Sequence, residues 1–135
     1  DTGLVLLVRI GERRILLPAD IERAGEQWLV ASGLDLRADA LLVPHHGSTT
    51  SSTRAFLDAV QPRVAMVSVG ARNPYGHPAP EVLARYAPTP LYRTDEVGDV
   101  TLRSDGTRMW VHAAHDAQDA PTTSRATVGP REQRR

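Results

Sequence analysis

Apolar residues along the chain occur in short runs that alternate with polar, turn-forming segments. Residues 4–10 and 14–17 are rich in Leu, Val and Ile, and the short glycine-containing segment between them predicts a β-hairpin. Residues 40–43 are a continuous apolar run and residues 63–69 are mostly apolar, as is typical of buried strands. Three more short strands are predicted at residues 91–93, 99–103 and 108–111.

Three segments between these strands have the features of helices. Residues 21–31 carry apolar side chains, Trp28 among them, on one face, and Asp20 is in the position of an N-cap. Residues 53–60 follow a run of Ser and Thr that offers several N-caps. Residues 80–86 begin with proline, which is favoured in the first turn of a helix.

The order of these elements predicts one α/β (α+β) domain over residues 1–112, with a mixed sheet and flanking helices. From residue 113 to 135 the sequence is polar and contains few large apolar residues, so we expect a disordered tail. His112 and His115 lie at or in this tail, and we interpret both as incidental.

Composition excludes several classes of site. The chain has no cysteine, so disulfides, thiolate nucleophiles and cysteine metal ligands are excluded. The formal net charge is zero, which gives no global attraction for nucleic acid, although Arg13, Arg14, Arg63 and Arg72 can form a local patch. No apolar run approaches the roughly 20 residues that span a bilayer, and no signal peptide is visible. The first residue is Asp1 rather than methionine, which we interpret as the start of an excised fragment or processed product.

Candidate chemistry follows two of the predicted strands. Asp20 lies between a strand and a helix, where it either caps the helix or presents a carboxylate able to bridge two divalent metals. His45 and His46 follow a buried strand and precede Gly47, and such a pair has no evident packing role. Because adjacent strand residues face opposite ways, both histidines bind one metal only if the chain turns there. Otherwise one histidine is a metal ligand or a catalytic acid/base group, a role open to His45, and the other supports it.

Three other candidates lie in loops. Ser48 can cap the following helix, at whose N-terminus a phosphate can bind. Tyr75 and His77 lie on a loop stiffened by Gly76 and Pro78, and their side chains suit contacts with a phosphate or a leaving group. Thr94 and Asp95 are interpreted as a turn that opens the last hairpin.

Together these segments resemble the metallo-β-lactamase-like domain of the ComEC family of competence proteins. The elements that carry the resemblance are LLPADIE, LLVPHHGSTTSS, VAMVSVG, NPYGHPAPEVL and LYRTDEVGDVTL, in the family's order over about residues 4–103. The resemblance implies an αββα sandwich, of which this chain supplies the C-terminal half. It also implies an enzyme that acts on the non-transported strand of incoming DNA, in a membrane protein of DNA uptake and natural transformation.

The resemblance also assigns roles to particular residues. Asp20 matches a bridging ligand of two divalent ions, manganese or zinc, and the histidine of PHHGS matches another ligand, with His46 favoured slightly over His45. His77 matches a further element near the catalytic centre, and its expected role there is catalytic, in contact with substrate phosphate. Independently of the resemblance, Ser48, Arg72 and Tyr75 are candidates for contact with substrate phosphate. Where this chain has Ala19 the family usually has glycine, and where it has Ala79 the family usually has a second histidine.

The family's main cluster of metal ligands, an HxHxDH motif, does not occur in these 135 residues. The resemblance implies that it lies in an N-terminal half of the sandwich, so the fragment alone is expected to be inactive. It further implies a parent protein in the bacterial inner membrane. The expected partners are DNA, the transmembrane channel of the same parent chain and the N-terminal half, and the domain itself is expected to be soluble.

Two other functions are compatible with the sequence. The chain can be a non-catalytic module that grips single-stranded DNA through Arg13, Arg14, Arg63 and Arg72, with Asp20 serving only as a helix cap. It can also belong to a stand-alone hydrolase of the same superfamily that acts on a small ester or phosphoester.

Overall fold

The computed structural model describes residues 3–114 and 126–129. The predicted hairpin is present as β1 (Leu6–Ile10) and β2 (Arg13–Leu17), which are antiparallel. Gly11 occupies the tight turn with φ of 57°, a conformation that glycine adopts without steric cost. A hydrogen bond from another part of the chain stabilises this turn: the Glu12 N–H donates to the Gly106 carbonyl.

A five-stranded mixed sheet is built on this hairpin, with the strands in chain order from β1 to β5. Strands β2 to β5 are parallel to one another, and a helix connects each successive pair of them. The remaining elements of this sheet and its connections are α1 (Arg23–Ala31), β3 (Ala40–Leu42), α2 (Arg54–Val60), β4 (Val64–Val67), α3 (Pro80–Arg85) and β5 (Leu91–Arg93).

A second sheet covers the opposite face of the first. Its strands are β6 (Val100–Ser104), β7 (Met109–Ala113) and β8 (Ala126–Val128), all antiparallel. Alternate strand residues divide between two cores, because successive side chains point to opposite faces of a sheet. Leu16, Leu41 and Ala65 pack against the helices, whereas Ala40 and Val64 pack against β7. The described layers are therefore helix, sheet and sheet, in agreement with the predicted α/β (α+β) class.

Strand β8 lies within the segment predicted to be a disordered tail. Its three residues pair with β7, which itself extends to Ala113, so the predicted boundary at residue 112 falls inside a strand. Val128 is buried against Met109 and Val111. Composition missed this strand because it is only three residues long and its neighbours are polar. The predictions for residues 115–125 and 130–135, His115 included, lie outside the described residues.

Three other local predictions need correction. Helix α1 begins at Arg23, with Glu22 rather than Asp20 at the capping position, so Asp20 is not the helix cap. Trp28 does not face the core and is 68% exposed. Thr94 and Asp95 open a short helix, α4 (Thr94–Val97), instead of a turn. No helix of the described ranges is long and apolar enough to cross a membrane.

The predicted patch of four arginines does not form. Arg13 is 1% exposed and lies 3.4 Å from the Asp39 carboxylate, and its guanidinium also donates to the Gly129 carbonyl. Arg63 donates to the same carbonyl, and Arg14 forms an ion pair with Asp35. Three of the four arginines are therefore engaged in contacts within the fold.

Strand β1 leaves unusually large apolar surfaces exposed. It is the outermost strand of its sheet, and all five of its residues are exposed. Leu6 and Val8 face one side of the sheet and Leu7 the other, so both faces are uncovered. Edge strands usually carry charges or prolines that prevent further pairing, but Arg9 is the single charged residue of β1. This composition is typical of a strand that is covered on both faces.

Candidate functional site

The candidate site lies at one edge of the five-stranded sheet. Because β2 to β5 are parallel, their carboxyl ends meet at this edge, where ligands commonly bind in open α/β sheets. Asp20 follows β2, His45 and His46 follow β3, Ser68 follows β4 and Thr94 follows β5. We refer to the surface formed by these residues and the loop from Gly70 to Pro78 as the strand-end site.

The chain turns sharply at the two histidines. His45 and His46 both have left-handed backbone conformations, with φ of 49° and 54°, inside the short turn Pro44–Gly47. The alternation expected of strand residues therefore does not apply to them. The His45 N–H donates to the carbonyl of Ala19, which joins this turn to the loop that carries Asp20.

The His46 ring faces the Asp20 carboxylate. Nε2 of His46 lies 3.6 Å from Oδ1 of Asp20, and Nδ1 lies 2.6 Å from the carbonyl oxygen of Ser68. A carbonyl can only accept a hydrogen bond, so the proton of the neutral ring is on Nδ1. The lone pair of Nε2 is then directed to the carboxylate side. Donation of one ring nitrogen to a backbone carbonyl is the usual way that a metal-binding histidine is oriented.

His45 lies beside a different carboxylate. Its buried Nδ1 is 3.3 Å from Oε1 of Glu22, and no residue of the described ranges forms a well-aligned hydrogen bond with it. The strand-end site therefore contains two histidine–carboxylate pairs, His45 with Glu22 and His46 with Asp20. Within residues 3–114 and 126–129, no three His, Cys, Asp or Glu side chains come together in a group that could hold a metal ion.

Two backbone features bring the loops of the site close together. Ala19 has φ of 53°, a conformation that costs a non-glycine residue about 1–2 kcal/mol. Gly47 has φ of 80° and packs against Pro78, and its carbonyl accepts a hydrogen bond from the Ala79 N–H. The loop after β3 is thus fixed against the segment that follows His77.

Replacing Gly47 with alanine should destabilise the protein because the new Cβ would lie 2.6 Å from Cβ of Pro78. Gly76 provides a matched control. It also has a positive φ, of 70°, but an added Cβ there meets no atom of the described residues within 4 Å. Both variants incur the backbone cost, so we expect Gly47→Ala to lower the free energy of unfolding by about 1–3 kcal/mol more than Gly76→Ala. Denaturant titration measures the difference, and equal losses would contradict the packing argument.

His77 lies on a loop that Asn73 holds in place. The Asn73 side chain accepts from the His77 N–H at 3.0 Å and donates to the His77 carbonyl at 2.8 Å. His77, Tyr75 and His46 line one cavity of about 470 Å³, together with Ser68, Val69, Gly70, Asn73 and Thr94. The structure therefore places His77 and His46 around a common space.

The other two predicted phosphate contacts differ in exposure. Ser48 is buried, and its hydroxyl lies 3.0 Å from that of Thr50, within the loop after the histidines. Arg72 is exposed on the same loop as His77. Of the four arginines considered for DNA binding, Arg72 belongs to the strand-end site, whereas Arg13 and Arg63 lie at the opposite edge of the sheet.

Sequence reasoning missed the buried group that supports the histidine turn. Glu26 is fully buried, and its carboxylate accepts from the N–H groups of Ser52 and Thr53 at 2.5 and 2.7 Å. The Ser52 hydroxyl lies 2.9 Å from the Tyr86 hydroxyl, and burial raises the pKa of that phenol. Ser51 donates to the carbonyl of Pro44, next to His45. A glutamate spaced as an ordinary helix residue gives no signal of this role.

Comparisons with known proteins identify the relatives of this chain. It is 36% identical to ComE operon protein 3 of Bacillus subtilis over 106 residues, and 40% identical to competence protein ComA of Neisseria gonorrhoeae over 103 residues. These matches cover 76% and 73% of this chain. The chain is homologous to competence proteins. Recombination protein 2 of Haemophilus influenzae is a further relative, 41% identical over 81 residues, which are 60% of this chain. No protein-family model matches the chain.

The competence homologues are much longer than the region they share with this chain. The matches span 14% of the Bacillus protein, 15% of the Neisseria protein and 10% of the Haemophilus protein. The similarity is therefore to one part of each of these relatives. The predicted link to competence proteins is thus confirmed at this level.

Proposed function

We propose that this chain is the C-terminal half of a metallo-β-lactamase-like domain, with an αββα sandwich, that hydrolyses DNA during uptake. The observation that carries the proposal is the pairing of Asp20 with His46, whose other ring nitrogen is fixed by the Ser68 carbonyl. The similarity to competence protein ComA supports the choice of DNA as substrate. The DNA proposed to be degraded is the strand that is not transported.

The chemistry of the pair fits two ligands of a divalent ion such as zinc or manganese. Zinc accepts imidazole nitrogen and carboxylate oxygen at about 2.0–2.2 Å, so two ligands in tetrahedral geometry lie roughly 3.4 Å apart. The observed separation of 3.6 Å is close to that value and long for a direct hydrogen bond. Bound ions supply hydroxide from water and neutralise charge on a phosphodiester. Asp20 and His46 would hold them, with His45 as the alternative ligand.

The other residues of the strand-end site suit the handling of the phosphodiester. His77 faces the same cavity as His46, so its imidazole can contact the scissile phosphate or donate a proton to the leaving oxygen. The Asn73 bonds to both backbone polar groups of His77 hold that loop in position. Arg72 is exposed on the same loop and contributes positive charge for the phosphates.

The partner completing the site is proposed to be an N-terminal half of the sandwich in the same longer polypeptide, which also contains a transmembrane channel in the bacterial inner membrane. Two observations support the presence of a further part of the polypeptide beside β1. Strand β1 exposes apolar side chains on both faces and has no strand on its outer edge among the described residues. The competence homologues also extend far beyond the matched region, which spans 15% of the Neisseria protein.

The proposal is tested by comparing this 135-residue chain with a longer polypeptide that contains it. We expect the longer polypeptide to cleave DNA with manganese or zinc, to lose cleavage in EDTA and to regain it when metal is restored. The chain alone is expected to be inactive because it supplies too few ligands. Cleavage that persists in EDTA would contradict the proposal. Salt-sensitive DNA binding in EDTA without any cleavage by the longer polypeptide would instead favour a non-catalytic DNA-binding module.

A further inference from the structure

A tyrosine stands exposed at the outer end of a row of aromatic rings that begins in the strand-end site. The His45 and His77 rings meet edge to face, with centroids 5.9 Å apart and planes at 65°. Tyr75 stacks on His77, with centroids 6.0 Å apart and planes at 22°. Tyr75 is nevertheless 77% exposed, so the face of its ring that turns away from His77 is open to solvent.

The loop that carries the exposed Tyr75 is fixed by hydrogen bonds from Asn73. Asn73 bonds the carbonyl of Gly70 through both its backbone and its side chain, and bonds both backbone groups of His77. The loop around Tyr75 is thereby closed at both ends. An exposed aromatic ring contributes little to folding because its apolar surface remains in water. The Tyr75 ring is exposed on a loop that hydrogen bonds fix in place, and it lies beside a candidate catalytic cavity. Contact with a ligand explains this exposure better than packing within the fold does.

We propose that Tyr75 is a stacking platform for an unpaired nucleobase, so that the strand-end site takes a single strand of nucleic acid. Base stacking on aromatic side chains is the usual way that proteins hold single strands, and it needs no sequence preference. The bases of a duplex are already stacked on one another and present no free face. Arg72, exposed three residues before Tyr75, can pair with a phosphate of the same strand.

This inference rests on the proposed function for its substrate but concerns a different contact. A phosphate would be recognised by charge and hydrogen bonding, for which the flat face of a neutral phenol is poorly suited. A base needs an open ring face instead. The hydroxyl of Tyr75 is therefore dispensable and its ring is essential, which separates the stacking role from the phosphate contact expected from the sequence.

The test measures binding to a fluorescent oligodeoxythymidine in EDTA, so that cleavage does not interfere. We expect Tyr75→Ala to weaken binding by about 5- to 150-fold and Tyr75→Phe to bind as the unaltered protein does. Trp28→Ala is the matched control, since Trp28 is also an exposed aromatic residue but lies on α1 and lines a different cavity. An abasic oligonucleotide of equal length should bind weakly and equally to the unaltered protein and to Tyr75→Ala.

Three results would overturn the inference. They are unchanged binding of oligodeoxythymidine by Tyr75→Ala, a loss in Tyr75→Phe as large as in Tyr75→Ala, and equal binding of the abasic and normal oligonucleotides by the unaltered protein. Failure of the proposed nuclease function would give a different set of results. If the protein is not a nuclease, cleavage is absent with metal present, while stacking of the single strand on Tyr75 in EDTA is retained.

Discussion

Replacing Asp20 with alanine is expected to reduce metal-dependent DNA cleavage by the longer polypeptide at least about 1,000-fold. The variant removes the carboxylate that faces Nε2 of His46 across 3.6 Å. Metal ions stabilise transition-state charge by several kcal/mol, and each 1.36 kcal/mol corresponds to a tenfold change in rate. The initial rate of cleavage, measured with saturating manganese or zinc, gives the effect directly.

Asp58 supplies the control for this experiment. It is an exposed aspartate on α2 that forms a surface ion pair with Arg54, and we expect Asp58→Ala to leave cleavage unchanged. Asp20 is exposed and has no capping role, so Asp20→Ala should unfold at the same denaturant concentration as the unaltered protein. Cleavage by Asp20→Ala at the unaltered rate would exclude this carboxylate as a metal ligand.

Much of the fold was predictable because local sequence determines it. The hairpin of β1 and β2 follows from two apolar runs around a glycine turn. Helix α2 was also predicted, but its cap is Thr53, the residue predicted to begin the helix, and not a residue of the preceding Ser and Thr run. Strand β8 was not predictable from its own residues. Its place depends on Val128 reaching an apolar surface made by Met109 and Val111, and no local pattern records such a distant contact.

The geometry of the candidate site could not be predicted from the sequence. Asp20, His45 and His46 stood out because polar residues at strand ends rarely serve packing. Which histidine faces Asp20 depends on the left-handed turn and on the carbonyl of Ser68, which follows β4. A pattern of residue types contains no information about the position of such a backbone atom. The arginine patch was predicted from charge alone, and the prediction was wrong because a buried carboxylate just before β3 binds Arg13.

That carboxylate is Asp39, and its replacement by alanine is expected to lower the free energy of unfolding by about 3–5 kcal/mol. Asp39 is 1% exposed, and it accepts from the Arg14 N–H at 2.9 Å and lies 3.4 Å from the Arg13 guanidinium. Its loss would leave Arg13 charged and buried without that partner. Removing one partner of a buried ion pair is strongly destabilising because the remaining charge is no longer compensated. Denaturant titration measures the effect.

Asp35→Ala is the matched control, because Asp35 pairs with Arg14 at 2.6 Å but is largely exposed. The Arg14 hydrogen bond lowers the pKa of Asp35, so the pair stabilises the fold above the usual pKa and the contribution is lost as the pH falls. Solvent screening limits that contribution to about 1 kcal/mol or less. A loss of stability in Asp39→Ala no larger than in Asp35→Ala would mean that Asp39 does not fix Arg13 in its buried position. The arginines at this edge would then again be candidates for binding DNA, at a place remote from Asp20 and His46.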